Sequence, residues 1–210
     1  MNFRCKRGTN ISHWLSQSQR RGEARAAWFT EDDVAYIAGL GFDHIRIPVD
    51  EALLWDKTGQ QDAEAFDLLD AALDWCEREG LRAIVDLHIL RSHYFNAKET
   101  PPLFTDPAEE ARFADLWRQL SARLGARSPD LVGYELLNEA VAPDPEDWNR
   151  VAMTAFSAIR EREPTRTIAL GSNWFNQYHT FEALAVPEDE HCILTFHYYF
   201  PMLITHYTAP

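Results

Sequence analysis

The chain has 210 residues, of which 46% are hydrophobic, so it is long enough to bury a substantial core in one domain spanning residues 1–210. Its formal net charge of −13 opposes binding to the phosphates of nucleic acids and to anionic lipid headgroups. We therefore expect neither nucleic acid nor a membrane among its partners. A neutral ligand suits the acidic surface better.

The cysteines and the first residues of the chain indicate the cellular compartment in which the protein is expected. Cys5, Cys76 and Cys192 are odd in number and far apart, so they form neither a disulfide framework nor a zinc-binding spacing. Residues 1–8 are too few and too charged to contain the apolar region of a signal peptide. We expect a cytoplasmic protein, or a secreted one whose leader lies outside this chain.

Short apolar runs alternate along the sequence with longer amphipathic ones. The apolar runs are rich in Ile, Val and Leu, and such continuous apolarity is typical of parallel strands that are buried on both faces. The predicted strands are residues 8–12, 44–49, 83–88, 132–137, 167–171 and 192–197.

Between these runs the helix signals are explicit. Thr30 precedes three acidic residues and reads as the N-cap of a helix that ends near Gly39 and Gly41. Further helices are predicted over residues 62–79, from Asp106-Pro107 onward through Leu124, and from Pro145 to Pro164. Strands that alternate with helices indicate an α/β fold with a parallel sheet.

Two parallel-sheet folds fit this alternation. A doubly wound sheet usually has a glycine-rich phosphate turn after its first strand, but here that strand is followed by His13-Trp14-Leu15-Ser16. The pattern therefore favours a (β/α)8 TIM barrel, of which this chain contains about six β/α units. Barrel enzymes carry their chemistry at the carboxyl ends of the strands.

Polar and aromatic residues recur at these predicted strand ends. If the strands form a barrel, their ends meet on one rim, and such a collection from separate strands indicates a functional site. The residues are Asn10, His13, Arg46, Asp86, His88, Asn138, Glu139, Asn173, Trp174, His197 and Tyr199.

Four of the motifs resemble one known family. Arg46 lies in HIRIPVD, His88 in VDLHIL, the Asn138-Glu139 pair in ELLNEA, and His197 with Tyr199 in FHYY. In this order the motifs resemble glycoside hydrolase family 5, the cellulase-like retaining β-glycosidases, over essentially the whole chain. The resemblance implies a (β/α)8 barrel that cleaves a β-linked glucan or mannan with retention, without a metal or other cofactor.

The chemistry of that family assigns roles to the rim residues. Retaining hydrolysis needs two carboxyl groups, and Glu139 is our candidate acid/base, with Asn138 placed to donate a hydrogen bond to the sugar 2-OH. The resemblance implies that Arg46 and Tyr199 orient the nucleophile, while His88 and His197 contact the sugar or the carboxylates. The candidate substrate-binding residues are Trp14, His13, Trp174 and Asn173, with the two Trp rings stacking on sugar faces.

The second carboxylate is where the sequence departs from the family pattern. The family's nucleophile is a Glu at the end of the seventh strand, whereas residues 198–210 follow the sixth predicted strand and contain no carboxylate. We expect a fragment, with a missing segment or a second chain completing the barrel. An endo-β-1,4-glucanase is the leading hypothesis for the intact enzyme, and a β-mannanase or another β-glucanase of the family is the alternative.

Two hypotheses of other classes stay open at this point. One is a metal-dependent barrel hydrolase with Asp86, His88, His13 and His197 as ligands, and the other is a truncated barrel that binds glycan without cleaving it.

Several residues also have a structural interpretation. Arg46 could form an ion pair with Glu135 or Asp86, and Asp86 could orient Arg46 or His88. His93 is expected to be an ordinary loop histidine. Of the remaining tryptophans, Trp55 could line the cleft. The helical patterns predict that four others lie in the core or pack a helix against the barrel: Trp28, Trp75, Trp117 and Trp148.

Overall fold

The computed structural model describes residues 3–206, which form six parallel strands with helices between them. The strands are β1 (Gly8–Asn10), β2 (His44–Asp50), β3 (Arg82–Ile89), β4 (Val132–Glu135), β5 (Ile168–Gly171) and β6 (Cys192–Thr195). They pair in chain order from β1 to β6. The sheet is a curled part of a (β/α)8 barrel, as the sequence predicted.

Eight helices accompany the strands in the described residues, and four of them are long. The helices are α1 (Glu23–Ala26), α2 (Glu31–Gly39), α3 (Glu51–Leu54), α4 (Ala63–Arg78), α5 (Pro107–Leu124), α6 (Pro145–Arg160), α7 (Asn173–Asn176) and α8 (Met202–Thr205). Short 3₁₀ turns cover Pro102–Phe104 and Tyr178–Ala183. None of the helices within residues 3–206 combines the length and the apolarity needed to cross a membrane.

Three of the long helices begin with a capping aspartate at or next to the start that the sequence predicted. The side chains of Asp62, Asp106 and Asp144 each accept a hydrogen bond from a backbone N–H in the first turn of α4, α5 and α6, which satisfies an otherwise unpaired donor. Gly80 follows α4 with φ of 70°, a left-handed conformation that glycine adopts without strain. Helix α6 ends at Arg160, before the predicted limit at Pro164, because proline disfavours helical geometry in the residue before it.

The core lies between the sheet and the long helices. Strands β4 and β5 are buried at every position, and Ile45, Ile47 and Val85 have no exposed surface. Strand β6 is only partly buried, because it is one of the two edges of the sheet, and the segment after it exposes several large apolar side chains. These exposed residues include Phe196, Tyr198, Phe200, Leu203 and Ile204.

The tryptophans divide between the core and the surface in a way the patterns only partly predicted. Trp117 and Trp148 are buried and Trp75 packs against the core, as predicted. The prediction for Trp28 was wrong: its ring is 45% exposed, with the Arg20 guanidinium lying 3.5 Å from its centre. Trp55 is buried, with its ring edge-on against Phe66.

A buried ion pair fixes the amino-terminal end of β4. The Glu163 carboxylate accepts hydrogen bonds from the Ser121 hydroxyl (2.6 Å), the Tyr134 hydroxyl (2.9 Å) and Nε of Arg166 (2.6 Å). Arg166 in turn donates to the backbone oxygen of Val132 at 2.7 Å. One acid therefore ties α5, β4 and the start of β5 together, opposite the carboxyl ends of the strands.

The substitution Glu163→Ala should be strongly destabilising because it leaves the Arg166 charge buried without a partner. We expect a loss of about 3 to 5 kcal/mol in the free energy of unfolding, measured by urea denaturation. The control is Glu161→Ala, which removes an exposed partner of Arg118 at the surface and should change stability little. Equal losses in the two variants would contradict this role for Glu163.

Candidate active site

The carboxyl ends of the strands converge on one partly buried cation, whose side chain is 19% exposed. The Arg46 guanidinium, which extends from β2, lies 2.7 and 3.1 Å from the two carboxylate oxygens of Glu135. It also contacts Oδ2 of Asp86 at 2.8 Å, Oδ1 of Asn138 at 3.1 Å and Oδ1 of Asn10 at 2.9 Å. Both ion pairs considered from the sequence are therefore present, and the same side chain also holds Asn138 in the site.

The strand register explains why these groups meet. Asn10 pairs with Arg46 across β1 and β2, and Asp86 pairs with Glu135 across β3 and β4. Burial by itself disfavours the charge of Arg46, but Asp86 and Glu135 outweigh that cost and raise its pKa. Arg46 is therefore a permanent cation at the centre of the rim.

Asp86 connects this cation to His88. Asp86 has no exposed surface, and its Oδ2 lies 2.6 Å from Nδ1 of His88 as well as next to Arg46. Burial would raise the pKa of Asp86, but the charge of Arg46 prevails and the hydrogen bond with His88 adds to it, so the pKa is lowered. Asp86 is thus an ionised carboxylate that orients both Arg46 and His88, as its sequence position suggested.

Glu139 lies beyond the end of β4 and is held by the segment that follows β6. Its side chain is largely buried, with Oε1 2.6 Å from Nδ1 of His197 and 3.1 Å from the Tyr199 hydroxyl, which donates to it. Burial, and then the Glu139 charge, raise the pKa of Tyr199 to about 12, so Tyr199 remains a donor at neutral pH. Within residues 3–206 Tyr199 thus contacts Glu139, and its expected contact with a nucleophile stays a prediction.

Left-handed backbone conformations are concentrated at these strand ends. Six residues other than glycine have φ between 47° and 62°: His13, Gln17, Glu139, Trp174, Phe175 and Asn176. Such conformations are unfavourable for most residues and persist where the surrounding structure imposes them. All six follow β1, β4 or β5, so the rim is the strained part of the described chain.

The strained turn after β5 connects the two halves of the site. The backbone N–H of Phe175 donates to the carbonyl of Ala140 at 3.1 Å, directly after Glu139. The carbonyl of Asn176 accepts from the backbone N–H of His197 at 2.9 Å. This turn therefore positions the backbone of Glu139 and of its partner His197 relative to each other.

Two of the four predicted substrate-binding residues are buried and bonded within the chain. Asn173 is 2% exposed, and its amide bonds both the N–H and the carbonyl of Ala142 at 2.8 and 2.9 Å. Trp14 is 1% exposed, and its indole N–H donates to the carbonyl of Arg25 at 2.9 Å. Its ring packs edge-on against Phe29, which leaves no face for stacking.

The other two predicted substrate-binding residues lie on the surface of the rim. Trp174 is 48% exposed and follows β5, next to the turn that supports Glu139. His13 is exposed beyond β1, and its carbonyl accepts from the Arg20 guanidinium at 3.1 Å. Contact of either residue with a sugar stays a prediction.

Two residues that the sequence did not single out as members of the site lie close to His88. Nε2 of Gln17 is 2.9 Å from Nε2 of His88, and the Gln17 backbone N–H donates to Asp50 at 2.7 Å. His93 is buried edge-on against Phe104, and burial lowers its pKa to about 3, so its ring is neutral. A polar residue in a loop carries no periodic signal, so neither could be identified from the sequence.

The arrangement gives no support to the metal-site hypothesis. Asp86 is engaged by Arg46 and His88, and Nδ1 of His197 is engaged by Glu139. Within residues 3–206 no three His, Cys, Asp or Glu side chains form a group suited to a metal ion.

The substitution Asp86→Asn should lower stability and flatten its dependence on pH. Because the pKa of Asp86 is depressed in the folded state, its contribution is complete above about pH 4 and is lost as the pH falls through the folded pKa. The variant leaves the charge of Arg46 only partly neutralised. We therefore expect the free energy of unfolding to fall by about 3 to 5 kcal/mol at pH 7 and to decline less steeply below about pH 4.

Urea denaturation from pH 7 to pH 3 measures both effects. The control is Asp32→Asn on the exposed face of α2, which should follow the unsubstituted protein closely. Parallel stability curves for Asp86→Asn and the unsubstituted protein would contradict the account of Asp86.

Comparison with known proteins agrees with this geometry. Residues 7–209 match the model of the cellulase family, glycosyl hydrolase family 5. Endoglucanase C of Acetivibrio thermocellus is 34% identical over 207 residues, which cover 97% of this chain and 60% of that protein. Cellodextrinase A of Ruminococcus flavefaciens is 31% identical over 205 residues, which cover 97% of this chain and 61% of that protein.

A solved structure gives the same result at the level of the fold. Endoglucanase Cel5A of Thermotoga maritima superposes with a TM-score of 0.80 at 27% identity, covering 97% of this chain and 63% of that one. The chain therefore spans about three fifths of the length of the relatives it matches. The family match over most of its residues shows that the chain belongs to glycosyl hydrolase family 5, the cellulase family.

Proposed function

We propose that this chain is the acid/base-bearing part of an endo-β-1,4-glucanase that acts with retention of configuration. The observation that carries the proposal is the placement of Glu139, held by His197 and Tyr199 beside the Asn138 that Arg46 positions. A largely buried carboxyl group at a barrel rim, next to an ordered amide, has the composition that glycosidic-bond cleavage needs.

Glu139 acts in both steps of this mechanism. In the first, a nucleophilic carboxylate attacks the anomeric carbon, the glycosidic C–O bond breaks, and Glu139 gives its proton to the leaving oxygen. In the second, Glu139 takes a proton from the water that attacks the same carbon and releases the nucleophile. Because His197 and Tyr199 both contact Oε1, we assign the transferred proton to Oε2.

The other rim residues hold and recognise the sugar. Asn138 is oriented through its side-chain oxygen, which accepts from Arg46, so its NH₂ group is left to donate to the sugar 2-OH. A hydrogen bond of this kind strengthens as charge develops in the transition state. In this proposal the exposed Trp174 contacts the sugar through its ring, and His88 contacts the carboxylate of Asp86.

The nucleophile is proposed to lie outside the described residues. Glu135 and Asp86 both neutralise Arg46, so neither is free to attack a sugar. A retaining enzyme places its second carboxyl group roughly 5 to 5.5 Å from the first. We propose that a further strand, or a second chain completing the barrel, supplies it.

The substrate is proposed to be a β-1,4-glucan. Support comes from the names of the relatives, an endoglucanase and a cellodextrinase, and from the net charge of −13, which suits a neutral polymer. A β-mannan is the second candidate, because the Thermotoga maritima relative has been solved with mannotriose as well as with cellobiose.

Replacement of Glu139 tests the mechanism. The experiment uses the catalytically complete protein, by which we mean this chain together with the strand or second chain proposed to supply the nucleophile. We expect Glu139→Ala to lower kcat/KM on cellooligosaccharides by about 10²- to 10⁴-fold, because their alkoxide leaving groups need a proton. Aryl cellobiosides with an acidic phenol as leaving group should lose far less in kcat/KM, since their first step needs no acid. The exposed residue Glu188 provides the control Glu188→Ala, which should leave both rates unchanged.

Two results would contradict the proposal. Equal losses on both kinds of substrate would remove Glu139 from the role of general acid. Hydrolysis of carboxymethyl-cellulose, mannan or laminarin by residues 1–210 alone would show that the nucleophile is already among them.

A further inference from the structure

Gln17 lies where it can control the protonation state of His88. Its side chain follows β1 on a left-handed backbone with φ of 51°, and its amide nitrogen is 2.9 Å from Nε2 of His88. The backbone N–H of Gln17 donates to Oδ2 of Asp50 at 2.7 Å, while the backbone N–H of Asp50 donates to Leu15 at 2.9 Å. The loop is therefore fastened to the end of β2, and the Gln17 side chain is directed at the imidazole.

The position of the proton on His88 follows from its other neighbour. Nδ1 lies 2.6 Å from Oδ2 of Asp86, a buried carboxylate that Arg46 keeps ionised and that can only accept a hydrogen bond. Nδ1 must therefore carry a proton. The Gln17 atom that faces Nε2 is the amide nitrogen, which can only donate, so Nε2 is an acceptor and the ring is neutral.

The orientation of the Gln17 amide follows in turn. Only its NH₂ group can donate to Nε2, so its carbonyl oxygen must point away from His88. Gln17 is an exposed residue at the rim, whereas His88 is largely buried and its ring packs edge-on against Phe95. The oxygen of Gln17 is thus an acceptor on the open side of the site.

We propose that Gln17 is a positioning residue that fixes His88 as the neutral Nδ1–H tautomer, and that its amide oxygen binds a sugar hydroxyl. The second part rests on the proposed function, whereas the first concerns the free protein. The charged and titratable groups around His88 are Asp86 and Arg46 on one side, with Asp50 and the neutral His93 nearby.

Histidine side-chain nitrogen NMR of residues 1–210 tests the first part without any substrate. Loss of its signals in His88→Asn identifies His88. At pH 7 we expect a protonated Nδ1 and an unprotonated Nε2 in the unsubstituted protein. In Gln17→Glu the new carboxylate accepts from Nε2, so we expect His88 to become doubly protonated at the same pH.

The matched control is Gln19→Glu, which adds the same charge to the same exposed loop two residues away. We expect His88 in this variant to keep the spectrum of the unsubstituted protein. A proton on Nε2 in the unsubstituted protein, or identical His88 spectra in the two Glu variants, would overturn the tautomer assignment.

Binding of cellotetraose to residues 1–210, measured by titration calorimetry, tests the second part. Gln17→Leu removes one hydrogen-bond acceptor, so we expect affinity to fall about 2- to 10-fold, with no change in Gln19→Leu. Unchanged affinity in Gln17→Leu would overturn the sugar contact alone. If the unsubstituted chain binds no cellotetraose, both the sugar contact and the proposed glucan substrate fail, while the NMR result still decides the tautomer.

Discussion

The site depends on one partly buried positive charge, that of Arg46. Arg46 projects from β2 into the sheet, where water cannot solvate it fully, and its burial is tolerated only because Glu135 and Asp86 offset its charge. Each neighbour that stabilises Arg46 is fixed in return. The hydrogen bond from Arg46 places Asn138 beside Glu139, and Asp86 bonds both Arg46 and His88. The geometry of three strands is therefore set by the need to satisfy a single guanidinium.

The other determinant of the site is the strained rim. Glu139 adopts a left-handed backbone, and the turn at Trp174 to Asn176 does the same in order to join the loop after β4 to the segment after β6. His197 and Tyr199 reach Glu139 because of that turn, although they come from the edge of the sheet. Backbone strain of this kind is common where a side chain must be presented at an angle that regular structure does not allow.

Much of the fold follows from the sequence, because strands and helices have periodic signals. All six strands lie where continuous apolar runs predicted them, and the caps at Asp62 and Asp106 mark the observed helix starts. The predicted ends of β4 and β6 were two residues too late, because the apolar runs continue through Leu137 and Phe196, beyond the last residues of the observed strands. Leu136 and Leu137 are buried whereas Phe196 is 54% exposed, so an apolar run does not by itself mark where a strand ends.

The site was predictable only where residues sit on strands or in recognisable motifs. Arg46, Asp86 and Glu139 were identified in this way, and the fold brings each of them to the rim. Trp14 and Asn173 occupy similar sequence positions but turn inward to satisfy the backbone of neighbouring loops.

Gln17 is part of the site through a single contact across 71 residues, which no local pattern reports. Loop residues of this kind are set by tertiary contacts alone.

The most direct test of the central claim is the reaction of Glu139→Ala with azide in the catalytically complete protein, using an aryl cellobioside with an acidic phenol. If Glu139 is the base of the second step, its removal lets azide attack a glycosyl-enzyme that water can no longer cleave efficiently. The account predicts accumulation of the β-cellobiosyl azide, with the rate restored in proportion to azide. An α-azide, or no azide product and no rate increase, would contradict it.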